Sequence, residues 1–187
     1  MKGFALAAAC LLTLAPMGSA LHAQQANLAS IDPAKLAAMI INDPGKPAVN
    51  KAKGRLIDDP RVTGGKALRV QVPQKGANIW DSNVGSDIKK PIKAGDKLLL
   101  VIWARLEKGE NDATTTTLPS ISVALRSPPW TGLLGGPADI GPEWKQFEYS
   151  GTATRDYAPG DAGIGIQLAT AKMTVDLGPV ILLNLGH

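Results

Sequence analysis

From Gly65 onward the chain alternates apolar and polar residues with a period of two, the pattern of strands whose two faces meet different surroundings. Ala67-Leu-Arg-Val-Gln-Val72 alternates in this way, and Pro73 ends it. Trp80 to Ile88 is a weaker candidate. After a turn over Pro91–Asp96, the stretch Lys97-Leu-Leu-Leu-Val-Ile-Trp-Ala-Arg105 gives the strongest strand. It is apolar on both faces, so neither face is expected to be freely solvated. Ser120–Arg126 alternates again, with Ile121, Val123 and Leu125 inward and Ser120, Ser122, Ala124 and Arg126 outward. Ser127–Pro142 reads as a Gly/Pro loop carrying Trp130, with Gly132-Leu-Leu-Gly135-Gly136 as its flexible part. Trp144–Thr152 puts Phe147 and Tyr149 on one face; Ile164, Ile166 and Leu168 alternate in the next strand, and Met173–Leu185 closes the chain. Strand follows strand without an intervening helix, which predicts an all-β, antiparallel sandwich.

Ahead of this region the pattern differs. Gln24–Ile41 holds the one helical stretch, with Asp32 placed to cap, Pro33 at the first helical position, and Leu36, Met39 and Ile40 on one face. Such a short helix is marginal alone. Residues 42–65 read as an irregular arm or a first short strand. Met1 to about Ala23 has the three parts of a secretory signal: Lys2, an apolar run from Phe4 to Ala15, and small residues after Pro16, with cleavage expected after Ala20 or Ala23. The run falls short of the ~20 apolar residues of a membrane span. The expected organisation is therefore a signal peptide over 1–23, a helical or irregular arm over 24–59 and one β-domain over 60–187. The mature protein is expected to be secreted or periplasmic.

Composition narrows the chemistry. The only cysteine, Cys10, lies in the leader, so a disulfide framework, a cysteine zinc site and a thiol nucleophile are excluded for the mature chain. The two histidines, His22 and His187, leave no basis for a histidine-centred triad. Net charge is only +4, and Lys51, Lys53 and Arg55 form the one basic cluster, without an aromatic platform, so nucleic acid is not an expected partner. Phosphate-cradle, zincin and nucleophile-elbow motifs are absent. Asp81, Glu143, Glu148, Asp156, Asp161 and Asp176 could support glycoside hydrolysis, but spacing in sequence brings no two of them together.

Tryptophan carries the sharper signal. Exposed aromatic faces bind sugar rings, and amides and guanidinium groups satisfy the hydroxyls. On Lys97–Arg105, the aliphatic set Leu98, Leu100, Ile102 and Ala104 is the expected core face. The opposite set, Leu99, Val101, Trp103 and Arg105, ends in an aromatic and a charge. The pattern leaves open whether Trp103 is buried or lines a trough. Gln167, between small neighbours on its strand, is either a solvated glutamine or a polar contact beneath a ligand.

Taken together, Gly65-Lys-Ala-Leu-Arg-Val-Gln-Val, Asn78-Ile-Trp80-Asp81, Pro91–Asp96 and Leu98–Arg105, followed by Pro142-Glu-Trp-Lys145, Gly163-Ile-Gly-Ile-Gln167-Leu and Val175–Val180, resemble a carbohydrate-binding module of the CenC type (families 4, 9, 16 and 22). The resemblance implies a β-sandwich jelly roll of two antiparallel sheets with a glycan in a concave cleft. It implies ligand contacts from Arg105 and Gln167 and from aromatic positions Trp80 and Trp103, with Trp130 and Tyr157 as rim. It links Asp176 to a structural calcium or to the closing turn; no other cofactor is expected. The implied partner is a polysaccharide or oligosaccharide, with a glycoside hydrolase as associate. Two other readings stand beside it: a jelly-roll interaction or cell-envelope module without glycan binding, and a small hydrolase or lyase on the same fold.

Overall fold

A computed structural model describes residues 32–187. The leader and the first residues of the arm, including the secretory reading of 1–23, lie outside the described residues. Ten strands form two five-stranded antiparallel sheets. Sheet one has the order β2 (Lys53–Asp58), β3 (Lys66–Val72), β10 (Met173–Asn184), β5 (Lys97–Lys108), β8 (Lys145–Thr152). Sheet two has the order β1 (Ala48–Asn50), β4 (Asn83–Asp87), β9 (Ala162–Gln167), β6 (Thr116–Leu125), β7 (Gly132–Ile140). The result is the antiparallel sandwich that the period-two pattern implied, with the jelly-roll form that the resemblance implied.

The core lies between the sheets because each strand sends its aliphatic set inward. Leu98, Leu100, Ile102 and Ala104 of β5 meet Ile121 and Val123 of β6, Ile164 and Ile166 of β9, and Val175, Leu177 and Leu182 of β10, all buried. Burying side chains of this size contributes about 1.5–3 kcal/mol each and dominates the stability.

A smaller apolar cluster sits on the outside of sheet one. Helix α1 (Pro33–Met39) starts at Asp32, whose Oδ1 accepts from the N–H groups of Ala34 (2.9 Å) and Lys35 (3.2 Å). Its apolar face brings Leu36, Met39 and Ile40 onto Leu99, Val101, Trp103, Ile181 and Leu183. The helix is held down at its end. Ile41 N–H donates to Leu182 O, and buried Asn42 donates to Val180 O while accepting from Leu182 N–H, both at 2.8 Å. The all-apolar β5 thus has cover on both faces, one side from sheet two and the other from α1.

Two expectations need correction. The domain does not begin at residue 60: β1 pairs with β4 and β2 pairs with β3, so residues 48–58 supply an edge strand to each sheet. The stretch read as a Gly/Pro loop is also largely strand β7, paired with β6 over Thr116–Ala124. An edge strand tolerates Pro137 because only one side of it must donate. Gly135 is required by packing, since at its φ of +138° a Cβ would come 2.3 Å from Ile121 O.

Candidate functional site

The two sheets present outer faces of opposite character, and the sequence-derived candidates divide between them. On sheet one, β5 points Leu99, Val101, Trp103 and Arg105 outward. The first two are buried under α1, and Trp103 is half-buried beside them, its Cβ facing Gly178 across a space too small for a second side chain. Arg105 continues the row into an ion-pair network. Asp176, fully buried on β10, accepts from Arg69 Nε (2.7 Å) and Nη2 (2.8 Å) and from Arg105 Nε (2.9 Å), and Arg105 Nη2 pairs with it at 2.7 Å. Glu107 bridges the same two guanidinium groups at 2.9 Å each. Arg105 also lies over the Trp144 ring, 5.4 Å from its centroid, while Trp144 Nε1 donates to buried Asp59. The hydrogen bond from the Arg61 side chain holds Asp59 far below the usual carboxylate range, against the opposing effect of burial, with further help from Trp144.

The trough expected at Trp103 and Arg105 is therefore closed, by a helix at one end and by charge pairing at the other. Asp176 is corrected as well. Both its oxygens are engaged by guanidinium groups, so the residue closes a salt bridge between β3, β10 and β5. Tyr157 is also no rim residue: it is buried, with main-chain bonds in both directions to Ile92, and Arg155 stacks on its ring 5.0 Å from the centroid.

Sheet two is different. Its outward residues form rows fixed by register: Asn50, Asn83, Gln167 and Ser120 in one, then Ala48, Gly85, Gly165 and Ser122, then Asp87, Gly163 and Ala124. At the usual ~4.8 Å between strands, the first row spans about 14 Å. Every one of these residues on the three central strands is partly accessible. Glycines on β4 and β9 leave the middle of the sheet as bare backbone, a flat floor between polar margins. Asn50 Nδ2 donates to Asn83 Oδ1, and Asn83 Nδ2 donates to Trp80 O, so the two amides are locked in orientation. The Gln167 amide lies over Gly165, where a Cβ would come 3.3 Å from Nε2, and its Oε1 is buried with no hydrogen-bond partner. At the far margin Arg126 pairs with Asp87, which also accepts from Lys89.

Two large aromatics stand at this face's ends. Trp80 is 60% exposed in the turn Ile79–Asp81 that leads into β4. Trp130 is 61% exposed in the β6–β7 turn, with φ of +57°. Of the sequence-derived candidates, Gln167 thus belongs to the outer face of sheet two, Trp80 and Trp130 stand in turns at opposite ends of that sheet, and Trp103 and Arg105 belong to the other face. The residues that sequence reasoning missed are Asn50, Asn83, Gly85, Gly163 and Gly165. The usable signal was the outward set of each strand, which is small or polar on β4, β9 and β6 alike.

Of the carboxylates considered for hydrolysis, Asp81, Asp156, Asp161 and Asp176 have structural partners. Asp81 caps its turn by accepting from Asn78 N–H, the main cause of its lowered pKa. Asp156 accepts from the Lys93 side chain, which lowers it, and from Ala94 N–H. Asp161 accepts from Ala158 N–H. No cluster of His, Cys, Asp or Glu that would suit a metal ion is present among the described residues.

The fold is that of known carbohydrate-binding modules. A module solved under the description "CBM4 structure and function" superposes with a TM-score of 0.57 at 21% identity, covering 74% of this chain and 94% of that one. The N-terminal cellulose-binding domain of β-1,4-glucanase C from Cellulomonas fimi gives 0.54 at 20% identity, covering 78% and 93%. The CBM22-1 xylan-binding domain of Xyn10C from Paenibacillus barcinonensis gives 0.53 at 9% identity, covering 75% and 86%. No protein-family model and no curated protein matches the sequence. At these identities the likeness establishes the jelly-roll architecture.

Proposed function

We propose that the chain is a non-catalytic carbohydrate-binding module that holds an oligosaccharide or polysaccharide segment on the outer face of sheet two. The observation that carries this reading is the outward row of amides and a hydroxyl, Asn50, Asn83, Gln167 and Ser120, beside a floor of Gly85 and Gly165. The neighbouring groups suit the same ligand. Amides and serine hydroxyls both donate and accept, as sugar hydroxyls require, and the backbone floor and exposed indoles offer flat surfaces to sugar rings. The fold neighbours include cellulose- and xylan-binding domains, which supports the ligand class. On this reading the module works outside the cytoplasm after loss of its leader, beside a glycoside hydrolase that acts on the same polymer.

Affinity electrophoresis and calorimetry against xylan, mixed-linkage β-glucan and cello-oligosaccharides test it. Binding is expected for the native protein, with at least a tenfold loss for Gln167→Ala and a smaller loss for Trp80→Ala. Absence of heat and of retardation with all three glycans overturns the reading. The second reading, an interaction module without glycan binding, draws support from the closure of sheet one around Trp103 and Arg105, and it is favoured by that negative result.

A further inference from the structure

The lysines near the Trp80 end of the polar face have no part in holding the fold, and they surround a recess. It has a volume of about 240 Å³, and Lys51, Lys75, Gly76, Asp81 and Ser82 are among its lining residues. It adjoins the candidate face directly, since Lys51 follows Asn50 of the polar row and Asp81 follows Trp80. Lys51 stands in the left-handed region, φ +48°, its carbonyl fixed by Ser82 Oγ at 2.9 Å. A glycine or asparagine would meet that backbone demand more easily, so the lysine brings a charge where the turn does not need one. Asp81 compensates little of it. Its Oδ2 is spent on Asn78 N–H, and its Oδ1 lies 4.0 Å from Lys51 Nζ, at the limit of an ion pair. Lys75 has no ion pair among the described residues. The recess is thus lined by two lysines and one committed carboxylate.

We infer that this recess receives an anionic substituent of the glycan, a uronate carboxylate, so that the module selects an acidic polysaccharide over a neutral one. The inference rests on the glycan-binding reading above and adds to it the charge of the ligand. Trp80 and the polar row would hold the neutral backbone, while Lys51 and Lys75 read the side group.

Calorimetry with the full mature chain compares three ligands of one backbone length: glucuronic-acid-decorated xylo-oligosaccharide, the same compound after carboxyl reduction, and a sulfated xylo-oligosaccharide. The uronate compound is expected to bind roughly fivefold tighter than its reduced form, the combined effect of two exposed ion pairs of ordinary strength, with most of the difference lost at high salt. The double variant Lys51→Asn, Lys75→Gln should lose that preference and keep the affinity for the reduced compound; asparagine tolerates the backbone at position 51. Equal binding of uronate and reduced ligands overturns the inference and leaves the glycan-binding reading standing, as does a preference that survives in the double variant. Tighter binding of the sulfated compound than of the uronate overturns the carboxylate assignment. Absence of binding to all three overturns both.

Discussion

Replacing Asp176 by asparagine should separate structure from recognition. The carboxylate is fully buried and accepts three guanidinium hydrogen bonds between 2.7 and 2.9 Å, two from Arg69 and one from Arg105, with Arg105 Nη2 a further ion-pair contact at 2.7 Å. Removing one member of a buried pair generally costs about 3–5 kcal/mol, because the partner charge remains. Two facts favour the lower end. Glu107 still bridges both arginines, and the arginine side chains keep 17% and 14% exposure through which water can reach them. Asp176→Asn should therefore lose about 3 kcal/mol in urea unfolding, which at this chain length lowers Tm by roughly 6–12 °C. Affinity for glycan, measured on the folded fraction, should stay within twofold, since the network faces away from sheet two. A loss below 1 kcal/mol would refute the pairing. So would a rise in the native Tm on adding calcium that Asp176→Asn abolishes, because the carboxylate would then serve an ion instead of two arginines.

Leu36→Ala removes the centre of the helix-to-sheet cluster. It should cost about 2 kcal/mol, the low end for a leucine at the margin of a core, and shift the fluorescence of Trp103 to longer wavelength; an unchanged spectrum would mean that α1 does not cover that face. Gly165→Ile raises a side chain from the floor beneath the Gln167 amide, on a strand that accepts β-branched residues; glycan binding should vanish while the far-ultraviolet spectrum stays native, and retained affinity would place the ligand elsewhere. Acid should destabilise the protein. Asp59, held low chiefly by the Arg61 hydrogen bond, and Asp96, held low chiefly by Lys93 N–H, contribute stability that is complete above the unfolded carboxylate pKa and is lost as pH falls toward their folded values. Thermal melts should be level from neutral pH to about pH 5 and fall below it, less steeply in Asp59→Asn; a Tm that rises on acidification would contradict the assignment.

Much of the sandwich is legible because a strand's two faces declare themselves in alternation. The inward set of β5 is purely aliphatic, and it packs as that purity implies. What the pattern does not carry is the identity of the surface against the second face. Leu36 and Leu99 are far apart in sequence, and their meeting is a tertiary event. A usable hint existed even so: a short helix with three apolar residues needs cover, and a strand apolar on both sides needs it too, so each could have been assigned to the other. Arg105 misleads for a related reason. At the end of an apolar row it reads as the lip of a cleft, yet a poorly solvated guanidinium requires an anion, and Asp176 was in view on the closing strand. Strand β7 is not legible in the sequence because glycine and proline mark turns in general, whereas at a sheet edge they meet fewer demands. The candidate site is half visible: alternation marks the outward serines of β6 and Gln167 of β9 one at a time, but only register places them in rows with Asn83 and Asn50.

The central claim is that one outer face of the sandwich receives glycan and the other is closed. Backbone amide chemical shifts during titration with xylo- or cello-oligosaccharide test it most directly, because every residue of both faces reports at once. The account predicts shifts concentrated at Asn83, Gly85, Ser120, Ser122, Gly165 and Gln167 and at the Trp80 indole, with Leu99, Val101, Trp103 and Arg105 unmoved. Shifts centred on Trp103 and Arg105, with sheet two silent, would contradict it.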